Sequence, residues 1–379
     1  MHADAPLRAD DLLPGDTPLR LIDQDGADDP AGSAAIAPAR IPSPEVLREG
    51  YRRLVLARRL NDQADALVRQ GRLAVYPSSH GQEACEVAAA MVLADEDWMF
   101  PTYRDTVAVI ERGVDPFEAF VLLRGDWHSG YDPTEHHVAP QSTPLATQLL
   151  HAVGFAHAAR MRGEDTVVLA MCGDGATSEG DFHEAMNFAA VFHLPVVFLV
   201  QNNGFAISVP LSRQTAAPSL AHKGVGYGMR GRLVDGNDLA ALLAVLGEAV
   251  AEAREGGGPT LVEAVTYRVK SHTNADDATR YRTPDEVEPW LARDPLLRMR
   301  SWLTAKGALD EGDDAEAHAH AERVAADLRA AIMTDAEPHP EDLFAHVYAT
   351  PTLQLREQAE QLAAELAAAN SSSTEEGSR

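Results

Sequence analysis

The sequence predicts an α/β protein, a parallel β-sheet with helices on both faces. Three observations carry this. "DTVVLAMC", "LPVVFLVQ" and "PTLVEAVTYRV" are unbroken apolar runs, rich in β-branched residues and of strand length. Runs of that kind suit strands buried on both faces, not strands with one wet side. Helix-period segments separate them, so the chain reads strand, helix, strand. Finally, the first two runs stop at Gly173-Asp174-Gly175 and at Asn202-Asn203, residues that favour turns.

Taken in order, residues 1–40 are rich in Asp, Ala, Pro and Gly, which predicts a flexible or surface-wrapping arm. Order is expected from "SPEVLREGYRRLVLARRLNDQADALVRQG", with Ser43 as N-cap, Pro44 at the first helical position and Gly71 closing the helix. "GQEACEVAAAMVL" predicts a second short helix, "DWMFPTYRD" a short strand or turn, and "TVAVIERG" and "PFEAFVLLRG" two further helices. A polar loop carrying His128 and His137 follows. "TPLATQLLHAVGFAHAARMRG" predicts a helix with Ala and Gly on one face, suited to close packing. In "SEGDFHEAMNFAAVFH", Phe182, Met186, Ala189 and Phe192 recur at helical spacing, and Ser178 with Asp181 is arranged like a capping box. "DLAALLAVLGEAVAEAREG" predicts the helix between the last two strands. The α/β domain is expected to span 41–350, with a C-terminal helix and a disordered tail over 351–379.

Composition narrows the partners. The 379 residues carry a formal net charge of −26, and no Lys/Arg run interrupts it. Such a chain repels nucleic acid and anionic membrane surfaces. Only two cysteines occur, Cys85 and Cys172, with no CxxC pair, so neither a disulfide framework nor a zinc site is expected. The N-terminus lacks the basic start and apolar stretch of a secretory signal, and no apolar run is long enough for a bilayer. A soluble, cytoplasmic protein is expected.

The two turns raise the chemical question. In a parallel sheet, ligands sit beyond the carboxyl ends of the strands. A right-handed crossover places both strand ends at one edge, so Asp174 and Asn203 converge. Glycine-rich turns there usually cradle phosphates, yet an aspartate 4 Å from a phosphate would repel it by roughly 4 kcal/mol at intermediate dielectric. A divalent cation reverses the sign, with Asp174 and Asn203 as hard oxygen ligands and the cation holding a diphosphate. "GDGATSEG" lacks the Gly-Lys-Ser/Thr ending of a P-loop. Gly-Asp-Gly alone is a common string, so an ordinary glycine turn beside an ordinary Asn turn stays open. The spacing to "QNN" in a strand–helix–strand context argues against it.

Gly-Asp-Gly followed by Asn-Asn resembles the thiamin-diphosphate signature. The flanking text resembles the α subunit of the heterotetrameric, thiamin-diphosphate-dependent decarboxylating component of 2-oxo-acid dehydrogenase complexes, of the branched-chain and pyruvate type. The resemblance covers about residues 45 to 350. It rests on "FPTYRD", "STPLATQ", "GDGATSEGDFHEAMNFAA", "QNNGFAIS", "VDGNDLAAL", "GPTLVEAVTYR" and "SHTNADDATRYR". It implies the thiamin-diphosphate-binding fold, in its diphosphate-binding module.

The resemblance also implies roles. Asp174, Asn203 and the backbone carbonyl of Phe205 would ligate Mg²⁺. Gly173, Gly175 and Ala176 would lie against the diphosphate, which Tyr103 and Arg104 would reach from another loop. Ser142, Pro144, Thr147 and Gln148 match a stretch where a monovalent cation, usually K⁺, is held. Thr143 would contact the diphosphate and the Leu145 backbone the aminopyrimidine. The simpler reading of "STPLATQ" is a helix cap, and both can hold. His272 matches a histidine that contacts the cofactor and shapes the active site. Thr273 stands where mitochondrial relatives carry a regulatory phosphoserine, from which no regulation is inferred. His128 and His137 are candidates to line the channel, equally readable as surface residues. Some relatives carry Arg where this chain has Gln201, which leaves more of the charge compensation to Mg²⁺, Arg104 and His272.

Relatives of this kind draw their activating glutamate, and the pyrimidine half of the pocket, from a separate β chain. The resemblance therefore implies an α2β2 assembly docked on a dihydrolipoyl acyltransferase core with its lipoyl domain. The expected reaction is oxidative decarboxylation of a 2-oxo acid with acyl transfer to lipoyl groups. A branched-chain substrate such as 3-methyl-2-oxobutanoate is favoured, ahead of pyruvate and then acetoin. The contrasting class is a non-catalytic Mg²⁺-phosphate-binding scaffold. A degenerate scaffold should have lost at least one of Asp174, Asn203, Arg104 and His272, and all are present.

Overall fold

The computed structural model describes residues 9–125, 130–334, 339–345 and 347–376, excepting the side chains of 370–376. The chain forms two compact units, Met1–Ile332 and Met333–Arg379.

Five strands form one parallel sheet: β1 (Trp98–Phe100), β2 (Val168–Gly173), β3 (Val196–Asn202), β6 (Arg230–Asp235) and β7 (Thr260–Val265), in the order β1-β2-β3-β7-β6. A small antiparallel hairpin, β4 (Phe205–Ala206) with β5 (Val209–Pro210), projects after β3. β6 was not anticipated. Its "RGRLVD" holds three charged residues and buries only Gly231 and Val234, so it shows no unbroken apolar run.

Period-2 alternation distributes each strand between two cores. Leu169 and Met171 of β2 and Val197 and Leu199 of β3 enter one, with helices α1 (Pro44–Arg69), α2 (Glu83–Met91) and α6 (Leu239–Arg254). Val168, Ala170, Cys172, Val196, Phe198 and Val200 enter the other, with α4 (Thr147–Arg162) and α5 (Gly180–Val191). The helix α3 (Thr106–Glu111) leads away from β1. Burying one ring such as Phe198 contributes about 2–3 kcal/mol. Both cysteines are buried and free.

The chain ends and the turn after β2 take particular local structures. The N-terminal segment wraps against the fold: Leu21 and Ile22 are buried, and their amides each donate to Asp238 Oδ2 at 2.7 Å. Asp238 also caps α6 through Ala241 N. Leu19 pairs with Val234 along the outer edge of β6. The segment's polar composition hid these few apolar anchors.

The capping box does not form. Ser178 ends a 3₁₀ turn over Asp174–Ser178, and α5 starts at Gly180 with no side-chain cap. Thr177 Oγ1 donates to the Asp174 carbonyl at 2.8 Å, which holds that tighter turn. Phe192, past the end of α5, is exposed. At the C-terminus a helix runs over Leu353–Glu376, its Ala-, Leu-, Gln- and Glu-rich start favouring helix, and takes in part of the stretch read as tail.

Candidate active site

The register fixes the site. Gly173 pairs with Gln201 across β2 and β3, so Asp174 and Asn203 leave the sheet at the same carboxyl edge. They line a cavity of about 200 Å³. Tyr103, Arg104, Ser142, Pro144, Leu145, Gln148, Gly173, Gly175, Ala176, Gln201, Phe205 and His272 line it too. Thr143 stands exposed in the adjoining loop, and Thr147 is the first residue of α4, both off the lining. An isolated bridge between Thr102 and Ser142 brings the "PTYRD" and "STPLATQ" loops together.

The two asparagines part company. Asn202 turns back into the fold, where its Nδ2 donates to Glu263 Oε1 at 2.7 Å. Glu263 also accepts from Ala221 N, so this buried carboxylate is satisfied. Asn203 faces the cavity, its Nδ2 donating to Gln82 Oε1 at 2.9 Å and its Oδ1 accepting from Phe205 N at 3.3 Å.

Asp174 is almost wholly buried and receives Gln214 Nε2 at 2.6 Å. Burial raises its pKa, against the lowering effect of that bond and of the nearby Arg268 charge. Gln214 Nε2 also donates to Val209 O, so the side chain ties Asp174 to the β4–β5 hairpin. A Cβ on Gly175 would lie 2.8 Å from the Ala206 Cβ, so the hairpin closes on the turn only because residue 175 is glycine.

The opposite wall is basic. Arg104 Nη1 donates to Ser78 O at 2.8 Å, and its Nη2 lies 3.1 Å from His272 Nδ1 and donates to His272 O at 3.2 Å. Because a guanidinium only donates, Nδ1 accepts and the imidazole proton sits on Nε2. Burial, then Arg104 and Arg268, push the His272 pKa down to about 4. The ring is therefore neutral near pH 7 and supplies no compensating charge. Arg268 brings a second guanidinium to the cleft: wholly buried, it donates to Phe205 O at 3.2 Å and to Ile207 O at 2.6 Å. The Phe205 carbonyl keeps a second lone pair for another partner. Ile207 is held at φ 56°, an uncommon conformation for a β-branched residue and a mark of a segment fixed by its surroundings.

Sequence reasoning missed Gln82, Asp105, Gln214 and Arg268. Arg268 closes the quoted "GPTLVEAVTYR", but nothing in that string distinguishes a cleft arginine from a surface one. His137 does not line the cavity: it stacks on Trp98, with Nδ1 against Asp95 O. His128 lies outside the described residues. No group of three or more His, Cys, Asp or Glu side chains is placed to hold a metal among the described residues. A cation here would rely on one carboxylate with amide and carbonyl oxygens, a hard set that suits Mg²⁺ when phosphate and water complete the shell.

A cleft at the carboxyl edge of a parallel sheet is where α/β proteins of the ligand-binding class take their ligands. This chain belongs to the dehydrogenase E1 component family, which matches residues 51–341. It is 50% identical over 323 residues to a Mycobacterium tuberculosis protein named 3-methyl-2-oxobutanoate dehydrogenase subunit alpha, covering 85% of this chain and 88% of that one. It is 42% identical over 289 residues to a Staphylococcus aureus pyruvate dehydrogenase E1 component subunit alpha, covering 76% and 77%. No helix among the described residues is long and apolar enough to cross a membrane.

Proposed function

We infer that this chain is the α subunit of a 2-oxo-acid dehydrogenase and that its cleft holds the diphosphate end of thiamin diphosphate through Mg²⁺. The observation that carries this reading is the meeting of Asp174, Asn203 and the Phe205 carbonyl with Arg104 around one cavity. The donor set fits the group: three oxygens for a hard cation and two guanidinium groups for phosphate oxygens. When bound, thiamin diphosphate supplies a carbanion that adds to a 2-oxo acid and an electron sink for loss of CO₂.

The chain's own residues have narrower roles. Asp174, Asn203 and Phe205 O hold the cation. Arg104 and Tyr103 orient the diphosphate, and Gly173 leaves the space beside it open, since a Cβ there meets nothing within 4 Å. His272, neutral and fixed by Arg104, holds its Nε2 proton ready to donate to a ligand atom. Gln148 donates to Met171 O at 2.8 Å while its buried Oε1 has no partner, which supports a K⁺ shared with Ser142, Pro144 and Thr147. An adjacent β subunit would complete the pocket, and the tetramer would pass acyl groups to lipoyl domains of a dihydrolipoyl acyltransferase.

Branched-chain 2-oxo acids are the favoured substrates, supported by the higher identity to the relative named for 3-methyl-2-oxobutanoate. The test is co-expression with the β chain and an artificial-acceptor assay. Turnover of branched-chain 2-oxo acids well above pyruvate is expected, and none from this chain alone. Pyruvate turned over as fast would sink the specificity. Full activity of the isolated chain would sink the shared site, and a tetramer that takes up no thiamin diphosphate would favour a scaffold.

A further inference from the structure

We propose that Asp105 is a positioning residue that sets the orientation of the Asn203 amide through a relay of two glutamines, so that an oxygen and not an NH₂ group is available to the cation; this rests on the cation site proposed above. The relay is continuous and buried. Asn203 Nδ2 donates to Gln82 Oε1 at 2.9 Å, Gln82 Nε2 to Gln201 Oε1 at 3.2 Å, and Gln201 Nε2 to Asp105 Oδ1 at 2.7 Å. The other Asp105 oxygen, Oδ2, accepts from Thr102 N at 2.7 Å. All four side chains are buried.

Amides carry a donor and an acceptor of nearly the same shape, so a chain of them can run in either direction. Something at one end must choose. A carboxylate accepts only. Gln201 must therefore turn its NH₂ to Asp105, which leaves its oxygen for Gln82. Gln82 then offers its own oxygen to Asn203, and Asn203 must donate, which frees Oδ1. Phe205 N, which can only donate, agrees with this direction at the far end. The relay also explains Gln201. Where an arginine at that position would contact phosphate, this glutamine passes on the polarity set by Asp105.

Asp105→Asn keeps the shape and removes the choice. Thr102 N would hold the new amide oxygen, turning the NH₂ of residue 105 toward Gln201. Each amide along the relay would then reverse, and Asn203 would present NH₂ at the cation site. Adding Gln201→Glu should reverse the defect, because a carboxylate at 201 accepts from both residue 105 and Gln82 and restores the original direction from there on.

The experiment is a Mn²⁺ titration, followed by the loss of the free-ion paramagnetic signal, on the tetramer co-expressed with its β chain and saturated with thiamin diphosphate. Asp105→Asn should weaken Mn²⁺ binding about 10- to 100-fold, as expected for groups that orient a metal ligand. The pair Asp105→Asn with Gln201→Glu should regain affinity, and the thermal midpoint of the metal-free protein should stay at the wild-type value. Wild-type affinity in Asp105→Asn overturns the proposal, as does a double variant no better than the single one. If Asp105→Asn does not assemble, Gln201→Leu cuts the relay without touching Asp105 and must weaken binding in the same range, or the proposal falls. Asn203→Ala separates the two levels: if it too binds Mn²⁺ normally, the cation site itself is wrong, whereas a weak Asn203→Ala beside an unaffected Asp105→Asn refutes only the relay.

Discussion

The two sides of the cleft are built differently. The floor, where β2 and β3 end, offers oxygens: the Asp174 carboxylate, the Asn203 amide and the Phe205 carbonyl. The wall, made by the loops around 102–105 and 268–272, offers guanidinium groups from Arg104 and Arg268. On the function proposed above, the floor would take the cation and the wall the anionic end of a metal–diphosphate pair. The difference also shows how each side is held. Strand register fixes the floor to within one residue, whereas the wall depends on long-range hydrogen bonds such as Arg104 to Ser78 O and His272.

The sharpest way to break the contrast is to remove the charge from the floor. Asp174→Ala should lower Mg²⁺-dependent affinity for thiamin diphosphate by more than about 100-fold, beyond the range for residues that only orient a ligand. Calorimetric titration of the co-expressed tetramer checks it, and an unchanged affinity would remove Asp174 from the site. Emptying the wall should cost less. Arg104→Met loses hydrogen bonds to a charged group, about 1.5–3 kcal/mol, which corresponds to roughly 10- to 100-fold in cofactor affinity. Arg104→Lys should not restore it, because an ammonium lacks the planar fork.

The third test concerns how the floor is closed. Gly175→Ala pushes a methyl to 2.8 Å from the Ala206 Cβ, and such overpacking costs about 1–3 kcal/mol. A lower urea midpoint is expected, and no change would mean that the hairpin yields freely. The smallest effect belongs to the wall's neutral member. The His272 pKa is lowered from 6.5 to about 4, so the unfolded chain takes up this proton first. The stability gained by keeping the ring uncharged is complete above 6.5 and is lost as pH falls from 6.5 toward 4. His272→Asn should flatten that part of the urea-stability profile. A profile identical to the wild type would show that His272 does not titrate as described.

What was legible in the sequence follows the same division. Asp174 and Asn203 could be paired because apolar runs fix where strands end and a right-handed crossover fixes which edge they share. The family match bears out the resemblance that the scattered stretches suggested. Arg268 and Gln82 were not legible, since their importance lies in partners 63 and more residues away, such as Phe205 for Arg268 and Asn203 for Gln82. The capping box failed because Ser178 and Asp181 have the right identities, yet the turn that carries Asp174 uses up the residues the box needs. The neutral state of His272 could not be read from "KSHTN", for it depends on burial first and then on two arginines that fold beside it.

The strap that Leu19 lays along β6 has a consequence for the protein in bulk. Leu19 N donates to Leu233 O, and Asp235 N donates to Leu19 O. A bare strand margin is a template on which further chains can stack. In this chain the opening segment covers that margin. Cutting the first 40 residues away should bare both the margin and the core face beneath Leu21 and Ile22, with light scattering expected to show increased association.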